Sequence, residues 1–102
     1  MSLTKPIGSK VSRGSAELAI IALLAERPLY GFEIARTIEE RTGGALRFNL
    51  ASLYPMLYEL EKRGHVKGQW RSNRAGRDRR YYALTAAGRR KLAPLRREWR
   101  GF

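Results

Sequence analysis

Cysteine is absent, and histidine occurs once, as His65. The first absence excludes disulfides and thiolate-held metals. The second excludes a histidine-rich metal site. Together they leave no nucleophile, base and orienting group from which to assemble a catalytic set, and the glutamates, Glu61 among them, fall mostly on helix surfaces beside basic residues. The glycines lack the spacing of a phosphate loop, so no cofactor is expected and the chain reads as a non-enzyme. Long apolar runs are also missing. The longest, "AELAIIALLA" at residues 16–25, is about half of the ~20 residues that cross a bilayer. Lys10 and Arg13 before it give it a superficial signal-peptide form. The helical pattern continues past it into sequence that needs this segment as core, which favours a cytoplasmic protein with no membrane association. There is no internal repeat and no low-complexity segment.

Negative charge is scarce. Asp plus Glu number 9 against 21 Lys plus Arg, a formal net charge of +12. Such an imbalance argues for a polyanionic partner and says nothing about fold. A chain of 102 residues makes one domain with a modest core; partner chains often complete the burial.

Residues 1–14, "MSLTKPIGSKVSRG", are polar and basic, and read as a flexible arm. Ser15 is placed to cap a first helix, with Glu17 favourable in its first turn. Residues 16–26 are apolar on nearly all faces, as in a buried central helix. "RPL" breaks it. A second helix starts near Tyr30 or Gly31, turns Phe32, Ile34, Ala35 and Ile38 inward, and closes at "EERTGG". Asn49 or Ser52 can cap a third helix, in which Leu53, Met56, Leu57 and Leu60 form one apolar stripe. Ser52, Tyr58, Glu59, Lys62 and Arg63 lie opposite. Pro55 is tolerated in a first turn and clashes deeper in, so the regular helix is expected to start close to Ser52 or to distort there.

"HVKGQWR" and "RRYYALT" read as two strands, Val66 and Trp70 sharing one face and Tyr82 and Leu84 another, around a polar tip containing Asn73 and Gly76, both good turn residues. Thr85 caps a last helix, which Pro94 is expected to kink or break. The order is helix, helix, helix, hairpin, helix: a mainly α fold with a small β-hairpin, the outline of a winged helix-turn-helix. In that fold the third helix enters the major groove and the hairpin tip reaches an adjacent groove or its phosphates. This explains why "RSNRAGRDRRYY" puts five arginines between Trp70 and a tyrosine pair. The aromatics would hold the strands to the body, while Arg71, Arg74, Arg77 and Arg79 face phosphate, which the arginine fork suits. Arg80, beside the tyrosines, is placed to brace the fold instead.

Three segments, "LAIIALLAERPLYGFEI", "SLYPMLYELEKRGHVKGQW" and "RRYYALTAAGRRKL", resemble the PadR family of bacterial transcriptional regulators. The resemblance implies a homodimeric repressor on a pseudo-palindromic double-stranded DNA operator. It implies that Ser52 and Tyr54 approach DNA and that Tyr30 touches a phosphate. It also implies dimerisation through a C-terminal helix, with Leu92 and Leu95 in that segment and Trp99 at a position where one branch of the family lines a pore for a small aromatic effector. The chain departs from the family pattern at Pro94 and in ending three residues after Trp99. On this reading residues 1–14 are the arm, 15–84 the DNA-binding domain and 85–102 the dimerisation segment.

The candidate DNA-binding residues are therefore Tyr30, Asn49, Ser52, Tyr54, Lys62, Arg71, Arg74, Arg77 and Arg79. Simpler readings stay open: Asn49 as a cap, Ser52 as cap or phosphate contact, Lys62 and Arg63 as solvated helix ends or backbone contacts, and the arginines as a solvated charge run. Two other functions also fit, a winged-helix interaction or sensory module of a larger protein and a nonspecific nucleic-acid binder.

Overall fold

The computed structural model of the chain describes residues 12–72 and 75–100, with side-chain surroundings for residues 14–72 and 75–94. The elements run α1 (Ser12–Leu24), β1 (Leu29–Tyr30), α2 (Gly31–Arg41), α3 (Leu50–Lys62), β2 (Val66–Ser72), β3 (Asp78–Leu84) and α4 (Ala86–Arg100). α1 begins three residues before the expected cap, so Ser12, Arg13 and Gly14 are helical and Ser15 lies inside the helix. Gly14 and Ser15 are exposed. Burial does not decide the start of a helix there, and the cap residue was a weak guide.

The core forms where α1, α2, α3 and the sheet meet. Ile20, Leu24, Leu29, Ile34, Leu53, Leu57, Leu60 and Val66 are its fully buried side chains. Each contributes about 1.5–3 kcal/mol of transfer free energy. In α2, Ile34, Ala35 and Ile38 turn inward as their spacing requires, but Phe32 does not. It is 52% exposed and packs under the Arg36 guanidinium, one turn on. Phe32 lies two residues before Ile34, about 200° around the helix, so both cannot face the same core. After α2 the Thr42 hydroxyl donates to the Ile38 carbonyl at 2.8 Å and accepts from the Leu46 N–H at 3.1 Å. Gly43 and Gly44 then take φ of 62° and 86°, which reverses the chain toward α3. Glu26, just past α1, takes a two-pronged hydrogen bond from Arg41 at 2.6 and 2.9 Å. That bond holds its carboxyl below the usual range.

Asn49 caps α3, its Oδ1 accepting the Ser52 N–H at 2.8 Å. The helix therefore starts at Leu50, and Pro55 falls in the second turn rather than the first. One hydrogen bond, to the Ala51 carbonyl, is lost. Burial of Leu53, Met56, Leu57 and Leu60 outweighs it.

The sheet has three antiparallel strands in the order β1-β3-β2. β1 was not expected: two residues are too few to show a period. It pairs Leu29 with Tyr82 and Tyr30 with Tyr81. The β2–β3 register sets Val66 against Leu84, Gly68 against Tyr82 and Trp70 against Arg80. Val66, Trp70, Tyr82 and Leu84 thus share one face, where the sequence reading had assigned the two pairs to separate faces. Gly76 turns the tip at φ 81°, and the Ser72 hydroxyl hydrogen-bonds to Asp78 across its base.

Thr85 caps α4: its hydroxyl accepts the Gly88 N–H at 3.0 Å and donates to the Gly64 carbonyl at 2.6 Å. α4 runs through Pro94 without the expected break. Pro94 is exposed, so its ring takes no space from the core. The arrangement is a winged helix-turn-helix: α2 and α3 form the helix-turn-helix, and β2 and β3 form the wing.

Two stability tests follow from the packing. A Cβ at Gly88 would sit well inside contact distance of the His65 carbonyl oxygen and against Leu84. Alanine favours a helix by about 1 kcal/mol over glycine, but the obstructing atom is backbone and cannot swing away. Gly88→Ala is expected to lower stability by about 1–3 kcal/mol in urea unfolding, the reverse of its propensity. Burial raises the Tyr82 phenol above its ordinary value, against an opposing effect of Arg80. An unfolded tyrosine ionises near pH 10 while folded Tyr82 keeps its proton. Its contribution is complete below pH ~10 and is lost as pH rises through the folded value. Tyr82→Phe should remove that part of the alkaline loss in Tm.

Candidate nucleic-acid interface

The inward stripe of α3 leaves a defined outward set. Ser52, Tyr54, Tyr58 and Lys62 are exposed; Tyr54 and Tyr58, four residues apart, share a row. The Tyr54 ring lies against Gly31 at the start of α2, where a Cβ would come within 2.6 Å of the phenol oxygen. Tyr58 is 64% exposed. The sequence reading placed it on the solvent side without a role, although its spacing from Tyr54 was a usable signal. Between this face of α3 and the wing runs an open groove of about 490 Å³, lined by Tyr54, Tyr58, Glu61, Lys62, Arg80 and Tyr82.

The cap of α3 occupies two candidate readers. Asn49 Oδ1 is taken by the Ser52 N–H, and the Ser52 hydroxyl donates to the Asn49 carbonyl at 3.1 Å. Both residues are exposed. A phosphate could draw the Ser52 proton only if that hydroxyl rotated out of its turn.

The wing carries its cations on aromatic rings. On the sheet face opposite Trp70, the Arg71 guanidinium lies 5.0 Å from the Tyr81 ring centre and that of Arg79 lies 4.3 Å from Tyr30. The two rings meet edge to face at 5.4 Å. Tyr30 is half-buried, and its N–H donates to Glu33 at 3.3 Å. Stacking limits the arginine rotamers while leaving guanidinium N–H groups to donate. Arg77 lies exposed at the tip; Arg74 lies outside the described residues.

Trp70 departs from expectation. It was assigned to hold the wing against the body, yet it is 63% exposed. Tyr82, 5% exposed, does the holding, because it is paired with Leu29 deeper in the sheet. Arg80 turns to the α3 side, where Glu61 accepts from it at 2.8 Å. The sequence reading grouped Glu61 with the surface glutamates. Arg63, which it left as a helix end or backbone contact, reaches α1 and pairs with Glu17 at 3.5 Å.

The C-terminal candidates separate. Leu92 is buried in its own chain's core at 4% exposure, so it packs inward instead of facing a partner. The side chains of Leu95 and Trp99 lie outside the described residues. Among the described residues, no cluster of side chains suits a metal ion, and no helix is long and apolar enough to cross a membrane.

Known proteins share this arrangement. The family model for the transcriptional regulator PadR-like family matches residues 20–94. An uncharacterized protein of Lysinibacillus sphaericus is 31% identical over 93 residues, which cover 91% of this chain and 85% of that protein. A transcriptional regulator from Clostridium thermocellum superposes with a TM-score of 0.78 at 30% identity, covering 90% of this chain and 89% of that one. A PadR family transcription regulator from Clostridium difficile gives 0.72 at 28% identity, covering 82% and 85%. With the family model spanning the whole helix-turn-helix, the wing and the start of α4, the chain belongs to the PadR-like family of transcriptional regulators.

Proposed function

We propose that the chain is a dimeric, sequence-specific repressor that inserts α3 in the major groove of an inverted-repeat operator and lays its wing on the neighbouring backbone. DNA-binding transcriptional regulation without catalysis follows from the family itself. The observation that carries the finer reading is the exposed row of Tyr54, Tyr58 and Lys62 on α3 beside a wing whose far face bears Arg71 and Arg79 stacked on tyrosines. A rigid helix reads bases, and cations fixed on a stiff hairpin neutralise phosphates.

In this reading Tyr54 and Tyr58 meet base edges and methyl groups, and Lys62 approaches the backbone. Asn49 holds the start of α3, and Ser52 divides its hydroxyl between the cap and phosphate. Tyr30, Arg71, Arg77 and Arg79 serve the backbone, with Arg74 beside them in sequence. One chain offers one recognition helix, so two half-sites take two copies, spaced about 34–36 Å on the DNA. Residues 85–102 would join the copies through Leu95 and Trp99. An aromatic effector near Trp99 would act by favouring a dimer whose helices misfit the half-sites.

Selection of binding sites from random double-stranded DNA at near-physiological salt tests this directly. An inverted repeat is expected; tight, salt-sensitive binding without enrichment would mean a nonspecific binder and refute the proposal. On the selected site, Arg71→Ala and Arg79→Ala should each weaken all sequences alike and flatten the slope of log K against log salt by about 0.9. Tyr58→Ala should instead change base preference, by about 1–3 kcal/mol at one position, with the slope unchanged.

A further inference from the structure

The wing beyond Val66 has little core to hold it. Val66 is buried, Gly68 is half-buried, and the other β2 residues, Lys67 and Gln69 to Ser72, are exposed. One polar junction ties this part of the hairpin to α3. Glu61 Oε2 accepts both the Gly68 N–H, at 3.2 Å, and the Arg80 guanidinium, at 2.8 Å. The same guanidinium lies 5.8 Å from the ring centres of both Trp70 and Tyr82. About two-thirds of each charged side chain in the pair is shielded from solvent, with 31% and 32% exposed. Gly68 makes the geometry possible, because a Cβ there would fall 2.5–2.6 Å from the guanidinium atoms.

We propose that Glu61, Arg80 and Gly68 form a clamp that fixes the angle of the wing against the recognition helix, so that Arg80 is a positioning residue and not a phosphate contact. The proposal rests on the DNA-binding reading above for its effect on affinity, but not for its effect on the free protein. The charge bookkeeping separates Arg80 from its neighbours. Arg71 and Arg79 stack on tyrosines and keep a net positive charge to offer, whereas the charge of Arg80 is matched by Glu61 in a partly desolvated pair. Counterion release follows phosphates neutralised by protein cations, so Arg80 contributes almost nothing to the salt slope. Its effect on binding comes through preorganisation: a wing already at its bound angle gives up less freedom when it meets DNA. Arg80 also covers a carboxylate that would otherwise face the phosphates.

Gly68→Ala is the informative variant, since it moves the guanidinium off Glu61 without altering any charge. The obstructing atoms are the far end of a flexible side chain, and Gly68 does not need a positive φ, so the core should tolerate the methyl group. Wild type, Gly68→Ala, Arg80→Lys, Arg80→Ala and Arg71→Ala would be compared on the selected operator across salt. Gly68→Ala and both Arg80 variants should bind about 5–20-fold more weakly with the wild-type slope, and only Arg71→Ala should flatten it. A slope loss of about 0.9 in Arg80→Ala, or wild-type affinity in Gly68→Ala or Arg80→Lys, would overturn the clamp. Amide hydrogen exchange on the free protein supplies a readout independent of DNA. Faster exchange over residues 67–72 and 78–80, with residues 53–60 unchanged, supports the clamp, and unchanged wing exchange contradicts it. If wild type binds no specific site, the functional proposal fails, and the exchange result alone decides the clamp.

Discussion

Burial of Leu53, Met56, Leu57 and Leu60 on one side of α3 is the packing on which the rest of the surface depends. Those four side chains fix the rotation of the helix about its axis, and that rotation decides which residues are left outside. Turned by one position, the helix would bring Tyr54 toward the core and expose leucine. The cost of such a turn, several leucine-sized burials, far exceeds the single hydrogen bond sacrificed at Pro55. Asn49 sets the same helix along its axis by capping at Leu50 instead of Ser52. A proposed reading surface with almost no buried area of its own is thereby held by residues that never face a ligand.

The second constraint is charge. A domain of +12 repels itself, and a thin hairpin carrying several arginines is where that repulsion concentrates. The structure answers with aromatic rings and one carboxylate. Tyr30 and Tyr81 lie beneath Arg79 and Arg71; Trp70, Tyr82 and Glu61 hold Arg80. Neighbouring arginines in the sequence thus have different electrostatic environments. Strand alternation sends Arg79 to one face and Arg80 to the other, and only the latter meets α3.

The parts of this design with a strong period were readable in the sequence. The α3 stripe, the inward set Ile34, Ala35 and Ile38, the hairpin, and the Thr85 cap all follow from burial patterns and turn chemistry acting within a few residues. Residues governed by contacts across the chain were not readable. β1 consists of two residues and exists because β3 offers them an edge. Phe32 is exposed by its place around α2, and Trp70, though on the face of buried Val66 and Tyr82, is exposed because it lies farther out along the wing. Leu92, read as a partner contact, is taken by the chain's own core. Glu61 looked like one more helix-surface glutamate, and its role depends on a strand seven residues later leaving out a Cβ. Tyr58 was legible in principle, as the next residue in the row of Tyr54, and was passed over because an exposed tyrosine has many ordinary explanations. Family resemblance supplied the function class; it could not say which arginine is paired.

The central claim is that α3 and the wing together form the DNA surface, and the most direct measurement is a map of backbone amide NMR shifts on adding a selected operator duplex. The largest changes should fall on the exposed positions of α3 from Ser52 to Lys62, on Tyr30 and on both wing strands, with the buried positions of α1 little affected. A map centred on α1 and α4, with α3 and the wing silent, would contradict the account.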